Sequence, residues 1–272
     1  MPIGSLPSTS PTRKQRRPMA EAAPTPNWAT IAVTRVDDII ELRLHSDGGP
    51  LIWSAEAHRE CYEAFLWVAA DREAKVLILT GTGDTFCDAL DTTSFSQMAW
   101  HELWYEGRRM TAGLNEIDIP IIGAVNGPAT IHGELPVMAD IVIAADHADF
   151  ADHAHFAARD NVAGDGSNLV WAELLGRTRG MYFLLTGERI TADEGKRIGF
   201  VNEVMPLAAL NDRAWELARE LARRELPILR YAKDAIGIGF RRDFRQNLGH
   251  GLGVQGSGYW AIGGIKAGRY QQ

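Results

Sequence analysis

The sequence predicts a layered α/β fold, on three observations. Apolar runs of strand length alternate along the chain with segments of helical periodicity, the pattern of strands interleaved with helices. Apolar residues make up 46% of the 272, ordinary for a globular protein and too many for a disordered one. Two of the runs, 121–125 and 141–145, are apolar throughout, as strands covered on both faces must be.

The first 27 residues hold Pro2, Pro7, Pro11, Pro18, Pro24 and Pro26 among Ser, Thr and Ala. They offer too little apolar surface to offset the entropy of ordering, and a disordered tail over 1–27 is expected. The basic run Arg13-Lys14-Gln15-Arg16-Arg17 reads as solvated charge, and no signal-peptide apolar segment follows it. Ile31–Val36 and Ile39–Leu44 flank Asp37-Asp38 and predict a hairpin. From Ala55 to Ala70, the residues Ala57, Cys61, Ala64, Phe65 and Val68 share one helical face, and Ser54 is placed to cap it. Cys61 is therefore read as core. Val76–Thr80 predicts a buried strand ended by the turn Gly81-Thr82-Gly83-Asp84. Ile121–Val125 and Ile141–Ala145 predict two more strands. Ala214, Leu217, Ala218 and Leu221 predict an amphipathic helix over 211–224, with another after Pro227. Glycine concentrates late, from Gly249 to Gly264, where close backbone approach or loose packing is expected.

Charge and cysteine content exclude several functions. Twenty-eight basic against 35 acidic side chains leave a formal charge of −7 and a pI near 5.6. A general nucleic-acid footprint is basic, so no nucleic-acid partner is expected. Two cysteines, Cys61 and Cys87, exclude a disulfide framework or a cysteine-rich zinc fold. They fit a reducing, cytoplasmic compartment. No run of about 18 apolar residues occurs, so no membrane span is expected.

Three segments carry a resemblance. They are Val76-Leu-Ile-Leu-Thr-Gly-Thr-Gly-Asp-Thr-Phe-Cys87 with Asp88-Ala-Leu-Asp91; Pro120-Ile-Ile-Gly-Ala-Val-Asn-Gly-Pro-Ala129 running on to Ala139-Asp140-Ile-Val-Ile-Ala144; and Leu185-Thr-Gly-Glu-Arg-Ile-Thr-Ala-Asp-Glu194 continuing as Gly199-Phe-Val-Asn-Glu-Val204. In this order and spacing they resemble the crotonase (enoyl-CoA hydratase/isomerase) superfamily, and the likeness extends from Trp28 to the end. The resemblance implies a crotonase fold: a spiral of ββα turns over 28–206, then a C-terminal helical region over 207–272 that trimerises, often into a hexamer made of two trimers.

One branch fits better. Asn126-Gly-Pro-Ala-Thr-Ile-His132-Gly-Glu-Leu-Pro136 resembles the β-diketone hydrolases typified by 6-oxocamphor hydrolase. So do Phe150-Ala-Asp-His-Ala-His155-Phe, with Asp165 ten residues on in Gly164-Asp165-Gly166, and Leu51-Ile-Trp53, with His58 five residues later. These enzymes are retro-Claisenases, which hydrolyse a C–C bond between two carbonyls without coenzyme A. Departures from the CoA-dependent pattern point the same way. Ile131-His132-Gly133 stands where those members carry a glycine-rich turn for the thioester oxygen, and Asp88-Ala89-Leu90-Asp91 replaces their Ala-Gly-Ala-Asp. Glu134 falls near one hydratase glutamate, and His155 replaces the other. A functional glutamate that the branch carries near its C-terminus corresponds to Gln255.

The implied chemistry sets the expected roles. Splitting a β-diketone requires a base for water, donors for the tetrahedral oxyanion and a proton for the enolate. His155 with Asp165 supplies a base and the carboxylate that orients it. His132 sits where an oxyanion donor is needed, and His58 holds water or lines the pocket. Trp53, Phe95 and Leu90 form apolar wall for a cyclic, bicyclic substrate, with Gln255 also at the substrate. Blander readings exist: Gly-Asp-Gly is by itself a turn sequence, and Phe95 suits a core. The expected enzyme needs no cofactor. Three alternatives stand beside it. The first is a CoA-dependent hydratase, isomerase or thioester hydrolase. The second is a catalytically silent assembly protein. The third is metal-dependent cleavage through Asp146-His147, Asp149, Asp152-His153 and His155, in which His153 and His155 share one face of a strand. His101-Glu102 reads as a helix surface pair.

Overall fold

A computed structural model describes residues 25–96 and 98–262; the tail, apart from its last three residues, lies outside them, as do Gly263 and Gly264. β1 (Ile31–Val36) and β2 (Ile39–Leu44) form the antiparallel hairpin, and Asp37, at φ 53°, takes the left-handed turn conformation. β3 (Leu51–Trp53) leads into α1 (Ala55–Ala70), whose N-cap Ser54 accepts from the Ala57 N–H. The sequence of a long strand, a short strand and a helix then repeats. β4 (Val76–Thr80) and β5 (Cys87–Leu90) precede α2 (Thr92–Phe95) and α3 (Trp100–Glu116). β6 (Ile121–Val125) is followed by a single bridging residue, Ala129, and by α4 (Glu134–Val137). β7 (Ile141–Ala145) and β8 (Asp149–Phe150) precede α5 (Phe156–Arg159) and α6 (Ser167–Leu175). The chain continues through α7 (Arg177–Thr186), β9 (Ile190–Thr191), α8 (Ala192–Ile198) and β10 (Glu203–Met205). It ends in α9 (Leu207–Ala222) and α10 (Leu226–Ala261).

The long strands form one sheet in the order β1-β2-β4-β6-β7-β10, parallel throughout except for the β1 edge. The short ones make a second row. β3 pairs parallel with β5, Cys87 bridges to Ala129, Ala129 bridges to Phe150, and β8 pairs with β9. Successive turns therefore stack strand on strand, which is the spiral of ββα turns. β4 and β6 are buried along their whole length, with α9 packed on both, and each large aliphatic side chain so buried contributes about 1.5–3 kcal/mol. α9 begins at Leu207, four residues ahead of the expected 211. Pro206 sets the entry, and Leu210 joins Ala214 and Ala218 on the buried face. Pro227 lies in the first turn of α10, where its missing N–H costs nothing.

The Asn-Gly pair after β6 is architectural. Asn126 is buried; its Oδ1 accepts from the Gly81 N–H at 3.0 Å, and its Nδ2 donates to the Gly83 and Thr85 carbonyls at 3.1 and 3.0 Å. A Cβ on Gly127 would sit 1.7 Å from the Asp84 carbonyl oxygen. Only glycine lets these two turns of the spiral close on each other. Among the described residues no helix is long and apolar enough to cross a membrane.

Candidate active site

The stacked turns bring equivalent positions together. Trp53 ends β3, Leu90 ends β5, His132 follows the Ala129 bridge, and His155 follows β8. All four line one cavity. His58, Phe95, Asp165 and Gln255 line it too. The structure thus gathers all eight residues singled out from the sequence around one space, although they span positions 53 to 255.

Each of the three histidines has its Nδ1 on a carboxylate. His155 Nδ1 lies 2.8 Å from Asp152 Oδ1, His132 Nδ1 2.6 Å from Glu134 Oε1, and His58 Nδ1 3.1 Å from Glu106 Oε2. The rings form a chain, with centroids 6.5 Å apart from His58 to His132 and 6.2 Å from His132 to His155. Their surroundings move their pKa values in different directions. Burial alone lowers the pKa of His155, but Asp152 and Asp165 outweigh it and hold it well above the ordinary value. Burial likewise opposes charge on His132, and Glu134 reverses the balance, so its pKa is raised. At His58 burial wins over Glu106, the pKa is lowered, and the ring is neutral at pH 7. Its Nδ1–H then donates to Glu106, and its Nε2 carries the lone pair.

Asp165 does not take the orienting position expected for it. It meets the other nitrogen of His155, Nε2, at 3.1 Å, and it lines the cavity. The orienter on Nδ1 is Asp152, which is 4% exposed and receives a 2.7 Å hydrogen bond from the Ser167 hydroxyl on its second oxygen. Burial raises the pKa of both carboxyls, but His155 outweighs it and holds both below the usual value. Gly164-Asp165-Gly166 is a turn as well as part of the site. Gly166 has φ 118°, and Thr111 of α3 donates to the Asp165 carbonyl at 2.9 Å. Glu106 and Ser167 are absent from the sequence reading, and Glu134 enters it only through its likeness to a hydratase glutamate, without its tie to His132. Only Glu134, two residues from His132, carried a local signal; Glu106 reaches His58 across 48 residues.

His132 has φ 49°, a strained backbone for a residue with a side chain. A Cβ on the following Gly133 would meet the Ala129 carbonyl oxygen at 2.3 Å. The ring packs on Trp53, with centroids 4.2 Å apart. Trp53 is 1% exposed, and its indole N–H has no hydrogen-bond partner among the described residues. The opposite wall comes from Trp100, Leu103 and Gly107 of α3, from Asn161, and from Leu252, Gln255 and Tyr259 of α10. α10 comes close to the 161–165 loop because glycines meet there: a Cβ on Gly164 would lie 2.2 Å from the Gly251 carbonyl oxygen.

The shared strand face for His153 and His155 is not formed. β8 ends at Phe150, and the His153 ring lies toward Gly187. His147 bonds the Asp84 carbonyl instead. Among the described residues no group of three or more His, Cys, Asp or Glu side chains is arranged to hold a metal ion. His101 and Glu102 are exposed on α3, where Glu102 accepts from the Ala99 N–H and caps the helix.

A family model for enoyl-CoA hydratase/isomerase matches residues 52–253. The hydroxycinnamoyl-CoA hydratase-lyase of Pseudomonas fluorescens is 30% identical over 79% of this chain and 79% of its own. The carnitinyl-CoA dehydratase of Shigella flexneri is 34% identical over 71% and 74%. Among solved structures, a β-diketone hydrolase from the cyanobacterium Anabaena sp. PCC 7120, bound to (S)-3-oxocyclohexyl acetic acid, is similar with a TM-score of 0.82. It is 33% identical and covers 92% of this chain and 100% of its own. An enoyl-CoA hydratase/isomerase from Mycobacterium paratuberculosis shares the fold at a TM-score of 0.80 with 22% identity, covering 89% and 98%.

Proposed function

We propose that this chain, which belongs to the enoyl-CoA hydratase/isomerase family, hydrolyses the C–C bond between the two carbonyls of a cyclic, apolar β-diketone and releases a keto acid. One observation carries the reading: His155 stands between Asp152 and Asp165 at a cavity also lined by His132, whose Nδ1 rests on Glu134, and by Trp53, whose indole N–H has no partner among the described residues. The likeness to the cyanobacterial β-diketone hydrolase supports it, since the molecule bound there has the ketone and carboxyl groups of such a product.

With both nitrogens on carboxylates, His155 is protonated at neutral pH and has no lone pair to offer. The working base is the unit after it has lost one proton. Asp152 then keeps Nδ1–H in place, and water lies between Nε2 and Asp165. The water oxygen bonds to one carbonyl carbon as its proton passes to His155. The C–C bond breaks, its electron pair forms the enolate, and His155 returns the proton to the enolate carbon. One water is added in sum. His132 and Trp53 donate to the oxygens that gain charge. His58 accepts through Nε2 and helps hold the water. Trp53, Leu90 and Phe95 keep the ring in a dry wall.

The test is turnover of a symmetric bicyclic 1,3-diketone without coenzyme A, followed by loss of diketone absorbance and chiral analysis of the acid. Folded protein that leaves the diketone intact and hydrates an enoyl-CoA thioester would overturn the reading in favour of the chemistry named for the two relatives. Activity is expected to survive dialysis against a chelator; loss restored by zinc would mean metal-dependent cleavage. The same proposal includes a homotrimer or a dimer of trimers built through the region from residue 207. Exposed Ile228, Tyr231, Ile236 and Ile238 on α10 support it, and a single-chain mass by light scattering would contradict it.

A further inference from the structure

Two buried amide oxygens of cavity-lining residues have no partner among the described residues. Gln255 comes from α10 and is 4% exposed; Asn161 comes from the loop ahead of Asp165. Neither Gln255 Oε1 nor Asn161 Oδ1 accepts a hydrogen bond from a described residue, and both residues line the cavity that holds the histidines. Backbone contact makes their segments neighbours. A Cβ on Gly164 would lie 2.7 Å from Gln255 Cβ, and one on Gly258 2.9 Å from Val162.

Unpartnered buried acceptors are rare in folded proteins and costly to keep. A leucine or methionine would fill either position without that cost. An amide edge offers an acceptor beside a donor, and it carries no charge. Neither the carbonyls of a diketone nor the carboxylate of a keto acid can satisfy an amide oxygen, because they only accept. In the reaction proposed above those groups are served by His132 and the Trp53 indole. A hydroxyl, which donates one proton and accepts through its oxygen, can donate to one of these amide oxygens while accepting from an amide N–H of the other residue.

We propose that Gln255 and Asn161 form a second subsite that binds a hydroxyl on the substrate ring, so that the substrate class is a hydroxylated cyclic β-diketone. This identification of the substrate rests on the diketone reading above; the subsite itself is tested without turnover. The probes are bicyclo[2.2.2]octan-2-one and its 5-hydroxy derivative, which lack the second carbonyl and cannot be cleaved, with affinities measured by calorimetry. Wild-type protein is expected to bind the hydroxylated ketone at least about tenfold more tightly. A site built to hydrogen-bond a hydroxyl discriminates strongly against the analogue lacking it. In Gln255→Met and in Asn161→Leu, each checked for folding by circular dichroism, the ratio should fall toward one. A wild-type ratio near one, no binding of the hydroxylated ketone, or a ratio that survives both substitutions overturns the subsite. Wild-type turnover of the plain bicyclic diketone is read in parallel. Its absence removes the proposed reaction, while the affinity ratio still decides the subsite.

Discussion

On the wall supplied by the spiral, each imidazole has its Nδ1 on a carboxylate, whereas on the wall supplied by α10 and the 161–165 loop the amide oxygens of Gln255 and Asn161 have no partner among the described residues. The first wall has its imidazoles oriented before any ligand arrives. Groups oriented in this way need not reorganise when charge develops during a reaction. The second wall is complete only with a ligand in place. Chemistry and selection are thus divided between segments that differ in kind: consecutive turns of a stacked spiral, and a helix that docks on it late in the chain.

The largest effect should come from breaking the first wall at its centre. His155→Ala is expected to lower kcat about 10²–10⁴-fold, and Asp165→Asn about as much. The double variant should be little worse than either alone, because the two act as one unit. Kinetics of the three variants, with circular dichroism to confirm folding, decide this. If folded Asp165→Asn keeps near-full activity while His155→Ala is inactive, Asp165 belongs only to the turn. Next in size, His132→Ala should cost roughly 10²-fold through a lost oxyanion donor. Glu134→Gln should cost less, about tenfold, since the ring remains but no longer holds its charge as firmly. Equal activity of Glu134→Gln and wild type across the pH range would rule out a role for that pair.

A pH series sharpens the comparison in a second way. The His155 pKa is raised, so its contribution to stability is full below the unfolded value of 6.5 and is lost as pH rises through the folded value. Asp152 and Asp165 are lowered. Their contribution is present above the unfolded value of 3.8 and is lost as pH falls through the folded values. The cluster therefore stabilises the fold most at weakly acidic to neutral pH. The proposed base needs the opposite, a deprotonated His155, so kcat/KM should climb as pH rises above neutrality. Asp152→Asn should bring that rise to lower pH. Urea midpoints and kcat/KM measured over one pH range give both curves; a flat rate profile above pH 7 would contradict the assignment of His155 as base.

The smallest effects concern the second wall. A Cβ on Gly249 or Gly253 of α10 meets nothing within 4 Å, whereas one on Gly256 lies 2.7 Å from Trp100 Nε1. Gly249→Ala and Gly253→Ala should each stabilise by up to about 1 kcal/mol through helix propensity. Gly256→Ala should destabilise or displace Trp100. Thermal melts of the three variants distinguish the two kinds of glycine; equal shifts would mean that α10 does not seat where described.

Much of the fold was legible because it rests on short-range signals. Ser54 ahead of an apolar stripe gave the start of α1, and unbroken apolar runs gave β4, β6 and β7. Legibility failed where distant segments decide geometry. The site residues could be named, but not which oxygen meets which nitrogen. Asp152 rather than Asp165 takes His155 Nδ1 because the chain leaves β8 at Phe150 and runs irregularly to residue 155. Nothing in the local sequence encodes that path. Glu106 is invisible for a similar reason, since its tie to His58 exists only once α1 and α3 have packed. The unpartnered amides are legible only in three dimensions, because an orphaned acceptor is defined by what surrounds it.

The ring contact between Trp53 and His132 has an optical consequence. An indole 4.2 Å from an imidazole, at an interplanar angle of 36°, is close enough for the excited ring to pass an electron to a protonated neighbour. Trp53 emission should therefore be quenched while His132 is charged and recover as alkali neutralises it. The chain has eight tryptophans, so the signal is the difference between wild type and Trp53→Phe. The protein carries an internal fluorophore that reports the charge of one site histidine directly, with no substrate present.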